Sequence, residues 1–234
     1  MSSHRDIEIV HATGIEGARR ARGTVVVIDV LRSFTVSAFA LAGGARECRL
    51  VPTTEAARAI ASGIPDGVLC AEEDALPVEG VAISNSPTQI RSTDLNGRVL
   101  VQRSSAGTPV VAAVDSSCIF AASLAVARAT VQACLLTDPA TLTLIASADY
   151  PEDHACAAYM EGMVLGQATD LATLLQPLRD SDRYRRVMSG TWPGFPPTDI
   201  ELALVPDRFS FAMPVTREAG YDRLTRSDQD PVTS

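Results

Sequence analysis

The chain has 234 residues, enough for one large domain or two small fused ones, and its 46% hydrophobic and 21% charged content excludes a disordered or fibrous polypeptide. The net charge of -8 sets 28 acids against 20 bases, and every base is Arg because no Lys occurs. That balance argues against a broad nucleic-acid-binding face, and the missing lysine removes Schiff-base chemistry and the phosphate loop that ends in Gly-Lys-Ser/Thr.

From the amino terminus, residues 1–6 alternate charge and lead into no apolar run, so no secretory signal is read and the chain is expected in the cytoplasm. Residues 24–30 are a near-continuous β-branched run ending in Asp29-Val30, the pattern of a central strand covered on both faces. Residues 33–43 are helical and stop at Gly43-Gly44; residues 47–51 form a strand; residues 54–62, opening on Thr-Glu, form a helix. Strands are predicted over 68–71 and 98–101, and a helix starts near Pro109. The Ala- and Leu-rich residues 117–128 read as a helix, 142–146 as a strand, 152–166 as a helix after Tyr150-Pro151, and 200–205 as a strand. Residues 192–197, rich in proline, read as a loop, and residues 224–234 as a frayed polar tail.

Alternating strands and helices predict one layered α/β domain over 1–234, and no stretch is long enough to span a bilayer. Five scattered cysteines, 48, 70, 118, 134 and 156, never form a Cys-x-x-Cys pair and fit reduced thiols rather than a disulfide frame or zinc site.

Asp29 at the end of the strongest strand is followed by Arg32, Ser33 and Thr35 at a helix start, where a cation and an anion can be held side by side. An Asp capping a helix, with Arg32 as a surface partner, accounts for the same residues. Leu31 stands where a haloacid-dehalogenase-type phosphatase needs its second Asp. After a second strand, Arg103-Ser104-Ser105-Ala106-Gly107-Thr108 reads as an anion cradle of backbone amides with Arg103 as a fork-shaped donor, although such a turn is often only a turn. Acids follow another strand at Glu72-Glu73-Asp74 and open a helix at Glu152-Asp153, so carboxylates on separate strand ends can converge with Asp29 on one hard cation such as Mg²⁺. Helix-dipole preference explains Glu152 and Asp153 equally well. Asn85-Ser86-Pro87 is a turn whose amide can touch substrate, and Cys156 reads as a buried small hydrophobe.

Taken together, these motifs resemble the 2-phosphosulfolactate phosphatases of coenzyme M biosynthesis, the ComB-like proteins, from about residue 24 to 214. The carriers are residues 27–32, 40–45, 84–87, 102–108 and 152–157 in order. The resemblance implies a three-layer α/β/α fold with a mixed, mostly parallel sheet and a Mg²⁺-dependent hydrolysis of 2-phospho-3-sulfolactate to 3-sulfolactate and phosphate. It leads to an expected site in which Asp29, Glu72 and Asp153 or Glu152 hold Mg²⁺, Arg32 and Arg103 neutralise the phosphate, and Ser33, Thr35, Asn85, Ser86, Ser104, Ser105, Gly107 and Thr108 bind substrate. The expected partner is a small anionic phosphate ester, with no nucleic acid and no membrane; a homo-oligomer is compatible with the sequence. One departure stands out: family members carry Gly-Gly-Glu-Arg-Gly-Gly where this chain has Cys70-Ala71-Glu72-Glu73-Asp74-Ala75. An anion in place of that Arg favours one alternative, a catalytically impaired relative that binds a small anionic metabolite or regulates a partner; a cradle able to accept many dianions gives another, an enzyme acting on a different phosphorylated hydroxy acid.

Overall fold

A computed structural model describes residues 7–228; the expectations for residues 1–6 and 229–234 lie outside the described residues. The chain opens with β1 (Glu8–Thr13) and α1 (Gly14–Arg19), then β2 (Thr24–Ile28), α2 (Ser33–Ala42), β3 (Glu47–Leu50), α3 (Thr54–Ser62), β4 (Gly67–Glu73), β5 (Leu76–Pro77) and α4 (Pro87–Arg91). It continues with β6 (Val99–Arg103), α5 (Gly107–Ala113), β7 (Ile119–Ala122), α6 (Ala127–Leu136), β8 (Thr141–Ala146) and α7 (Pro151–Val164). Short helices α8 (Leu171–Leu174), α9 (Gln176–Arg179), α10 (Asp182–Met188) and α11 (Pro197–Ala203) precede β9 (Phe211–Glu218), β10 (Tyr221–Leu224) and β11 (Ser227–Asp228).

The strands form one mixed sheet in the order β1-β8-β2-β7-β9-β10-β3-β6-β4-β5, with β11 on β9. Its two long runs, β1-β8-β2-β7 and β3-β6-β4, are parallel. The long β9 joins them, pairing antiparallel with β7 through Met213 and Pro214 and with β10 from Val215 onward. Helices cover both faces, the three-layer α/β/α arrangement expected. Every position of β2 is buried because strands flank it and helices cover it. The helix α2 is buried from Ser33 to Leu41, as its apolar sequence on all sides requires. Its residues share a core with β2, β3, β6 and β9, while β8, α6 and α7 build a second core on the other face. Truncating one of these fully buried side chains, such as Leu144 to Ala, costs about 2–5 kcal/mol.

Three expectations need correction. Residues 117–128 are not one helix: Ile119–Ala122 is a strand buried on both faces between β2 and β9, a tertiary pairing that overrides Ala and Leu propensity. Residues 200–205 belong to α11 and the turn after it, because Pro197 at the first helical turn and Asp199 near the positive helix end start a helix that a short apolar run cannot signal. Residues 224–228 are not frayed, since Leu224 is fully buried and β11 pairs with β9. No helix among the described residues is long and apolar enough to cross a membrane.

Candidate functional site

The loops after β2, β4 and β6 meet around a cavity of about 440 Å³, a size suited to a small ligand. Asp29 lies on its wall. Its Oδ1 accepts the Ser33 amide at 2.9 Å where α2 begins, while Oδ2 has no hydrogen-bond partner among the described residues. Burial pushes the Asp29 carboxyl up to about 6; the Ser33 amide pulls it down, and the negative charge of Glu72 pushes it up again. Gly107 presses close behind. A Cβ built there would stand 2.7 Å from Asp29 Oδ2 and 3.0 Å from Ser33.

Glu72 also lines the cavity, on the tight β4–β5 hairpin. Asp74 (φ 51°) and Ala75 (φ 62°) are its two central residues, both left-handed, the geometry that favours Gly. The turn exists to hold a carboxylate: Glu72 Oε2 accepts the Ala75 amide and Oε1 accepts the Ser105 amide, both at 2.6 Å. Alternation along the strand sends the next residue the other way, and Glu73 accepts the Thr54 hydroxyl at 2.7 Å outside the cavity lining. The anion that replaces the family arginine therefore does not face the ligand space.

The positive charge comes from three arginines, each laid on an aromatic ring. Arg32 donates through Nη1 to Asp199 Oδ2 at 2.8 Å and to the Gly194 carbonyl, with its guanidinium 3.9 Å from the Phe195 ring centre. Both partners of that ion pair are buried, and Asp199 is fixed in turn by the Ser86 hydroxyl and the Thr88 amide. Arg183 donates to buried Glu152 and to the Leu31 carbonyl, over Tyr150 at 4.1 Å. Arg186 lies over Trp192 at 4.2 Å.

Of the residues anticipated from sequence, Asp29, Arg32, Glu72, Asn85 and Ser105 line the cavity. Asn85 sits at φ 57°, and its Oδ1 accepts from Gln102 Nε2, which leaves its amide N–H groups for a ligand. The others lie behind the wall. Ser33 anchors Asp29, the Thr35 hydroxyl donates to the Val30 carbonyl, and Ser86 holds Asp199. Ser104 and Thr108 bond each other reciprocally, so with the Ser105 amide on Glu72 most of the expected amide cradle is occupied by protein groups. Arg103 donates through Nη1 to the Glu72 carbonyl and the Ser105 hydroxyl, its Nε is buried without a partner among the described residues, and it is absent from the lining.

The four carboxylates do not assemble as one chelating set: among the described residues no group of three or more His, Cys, Asp or Glu is placed to hold a metal ion. Asp153 is enclosed, accepting Val30 N at 2.8 Å on one oxygen and the Ser147 hydroxyl and amide on the other. Burial, and then the charges of Asp29 and Glu152, push it well above the ordinary carboxyl range. Glu152 pairs with Arg183 through Oε1, and its Oε2 is buried without a partner among the described residues. Burial also pushes the Cys156 thiol well up, as an inert core residue requires.

Sequence reasoning missed Arg183, Arg186 and Trp192. The spacing of the two arginines, three apart on one helix, was the available signal.

The family model described as 2-phosphosulpholactate phosphatase matches residues 10–189. The chain belongs to this family. It is 28% identical to a protein of Bacillus subtilis named probable 2-phosphosulfolactate phosphatase, over 208 residues that cover 86% of this chain and 90% of that one. A Clostridium novyi protein of the same name is 29% identical over 165 residues, 67% of this chain and 69% of its own length. One from Deinococcus radiodurans is 39% identical over 83 residues, 36% of this chain and 35% of that protein. The 2-phosphosulfolactate phosphatase family is one of phosphoric monoester hydrolases, and its match spans Asp29, Glu72, Asn85, Arg183 and Arg186 but ends before Trp192 and Asp199.

Proposed function

We propose that the chain hydrolyses the phosphate ester of 2-phospho-3-sulfolactate, or of a closely related phosphorylated hydroxy acid, releasing the alcohol and inorganic phosphate with Mg²⁺ as cofactor. The observation that carries this reading is the unpartnered Oδ2 of Asp29 facing a cavity lined by Arg32, Arg183 and Arg186. Membership in the family supports it. The donor set suits a magnesium ion of the kind that keeps most of its waters, with the free oxygen of Asp29 and the substrate phosphate as its ligands and Glu72, both of whose oxygens accept amides, adding negative charge nearby. It does not suit a cage that includes Asp153 and Glu152, whose oxygens are committed elsewhere or sealed. When bound, such a cation supplies charge neutralisation at the phosphoryl oxygens and a more acidic water.

The protein's own groups do the rest. Arg32 and Arg183, each fixed by a carboxylate and a ring, offer their remaining N–H bonds to the equatorial phosphoryl oxygens at little cost in reorganisation. Asn85, also in the cavity lining, donates its amide. Asp29, its Oδ1 fixed by the Ser33 amide, keeps Oδ2 free to hold the cation beside the phosphoryl group. Water attacks directly in this scheme.

The test is phosphate release from 2-phospho-3-sulfolactate and from generic phosphate monoesters, with Mg²⁺ or with EDTA. Turnover of the sulfolactate ester that chelation stops supports the proposal; no release from any ester contradicts it. Calorimetric binding of an anionic metabolite without turnover would instead favour an impaired relative, whose motive weakens now that Glu73 faces Thr54.

A further inference from the structure

Of the three guanidinium groups in the cavity, two are neutralised by the protein itself: Arg32 by Asp199 and Arg183 by Glu152. Arg186 is different. Its guanidinium makes no hydrogen bond or ion pair with any described residue, and the acid nearest in sequence on its own helix, Asp182, is taken by Arg185 at 2.5 Å. The side chain is nevertheless positioned. The Ser189 hydroxyl donates to the Arg186 carbonyl at 2.8 Å and the Gly190 amide to Val187 O, a turn that brings Trp192 back over the guanidinium at 4.2 Å. A planar cation held on an indole face keeps its donor edge free and loses little rotamer freedom when it binds.

Its place in the cavity says what it binds. Arg183 and Arg186 are separated by three residues on α10, which sets their Cβ atoms about 5–6 Å apart. Arg183 sits inward beside Leu31 and Glu152, whereas Arg186 is exposed at the mouth. An ester whose phosphate lies against Arg32 and Arg183 therefore presents its other end to Arg186. Four acids line the cavity, Asp29 and Glu72 buried and Asp74 and Asp182 exposed, so a second anion is held where positive charge is left over, at the one cavity arginine with no acidic partner among the described residues.

We infer that Arg186 is the specificity residue of this site, gripping a second anionic group, a sulfonate or carboxylate carried on the phosphate-bearing carbon or on the carbon next to it. The inference rests on the phosphatase reading above and deepens it. Substrates without that second group lose this contact and keep only the phosphate contacts.

The experiment uses the full chain with Mg²⁺ and two probes, 3-sulfolactate and inorganic phosphate, titrated calorimetrically into the wild type, Arg186→Ala and Arg186→Lys, each checked for an unaltered melting midpoint. Removing a charge-assisted, planar contact weakens 3-sulfolactate by about tenfold or more, with phosphate weakened several-fold less and Lys recovering part of the loss. Equal weakening of both probes, no weakening, or no binding of 3-sulfolactate by the wild type overturns the inference. The enzymatic reading fails separately, through wild-type protein that binds 3-sulfolactate yet releases no phosphate from its ester. In that event the comparison of the two probes still decides the role of Arg186.

Discussion

Replacing Asp199 by Asn probes the scaffold under the cavity. The substitution keeps the shape of the side chain but removes the carboxylate paired with Arg32, whose side chain is 2% exposed against 0% for Asp199. A donor amide or a neutral oxygen then faces the guanidinium, and the Ser86 and Thr88 bonds to the other oxygen become weaker neutral ones. Breaking a buried pair from one side leaves an uncompensated charge and costs about 3–5 kcal/mol. For a chain of this length that corresponds to a fall of about 6–20 °C in melting temperature. The assay is equilibrium urea unfolding followed by fluorescence of Trp192, the single tryptophan, which itself lines the cavity. A loss below about 1 kcal/mol would show that the pair contributes no more than a surface ion pair and that Arg32 is not anchored as described. The double variant Arg32→Met with Asp199→Leu, which removes both charges, should recover much of the stability and none of the phosphate binding.

Further outcomes follow from the same geometry. Asp29 has its folded pKa raised from the ordinary 3.8 to about 6, so its contribution to stability is full below pH 4 and is lost as the pH rises through 6. At about 1.4 kcal/mol per unit, the cation-free protein at pH 7 carries a cost of about 3 kcal/mol that Asp29→Asn relieves; in EDTA that variant should melt above the wild type at pH 7 and lose the advantage by pH 4, and parallel stability curves would refute the assignment. Ala75→Gly, at φ 62° in the hairpin, should gain about 1 kcal/mol or a few degrees in a thermal melt, unless Ala is unstrained there. Gly107→Ala places a methyl 2.7 Å from Asp29 Oδ2, so steady-state kinetics should show a fall in kcat/KM of about tenfold to a hundredfold, whereas wild-type rates would mean that the carboxylate position does not matter.

How much of this was written in the sequence varies by element. The β-branched run of β2, the Gly43 stop of α2 and the Thr-Glu start of α3 are local signals, and each produced its element within a residue or two. Asp29, Glu72 and Asn85 were readable because each stands at a strand end or marks a turn, the places where a layered α/β chain exposes side chains to a ligand. Arg103 misled because its neighbours look like an anion cradle; only the fold reveals that Glu72 takes the Ser105 amide and that the Ser104 and Thr108 amides bond each other's hydroxyls. Asp153 misled for a similar reason, since nothing local says that Val30 and Ser147 enclose it. Arg183, Arg186 and Trp192 reach the cavity through a short helix and a proline-rich loop more than 150 residues after Asp29, and their convergence is a tertiary fact.

The most direct test of the site as a whole is the initial rate of phosphate release from 2-phospho-3-sulfolactate by the wild type and Asp29→Asn side by side, at pH 7 with saturating Mg²⁺. Turnover by the wild type is expected, with a loss of at least about a hundredfold when the charge of the cation-facing carboxylate is removed. Equal rates from the two proteins would contradict it.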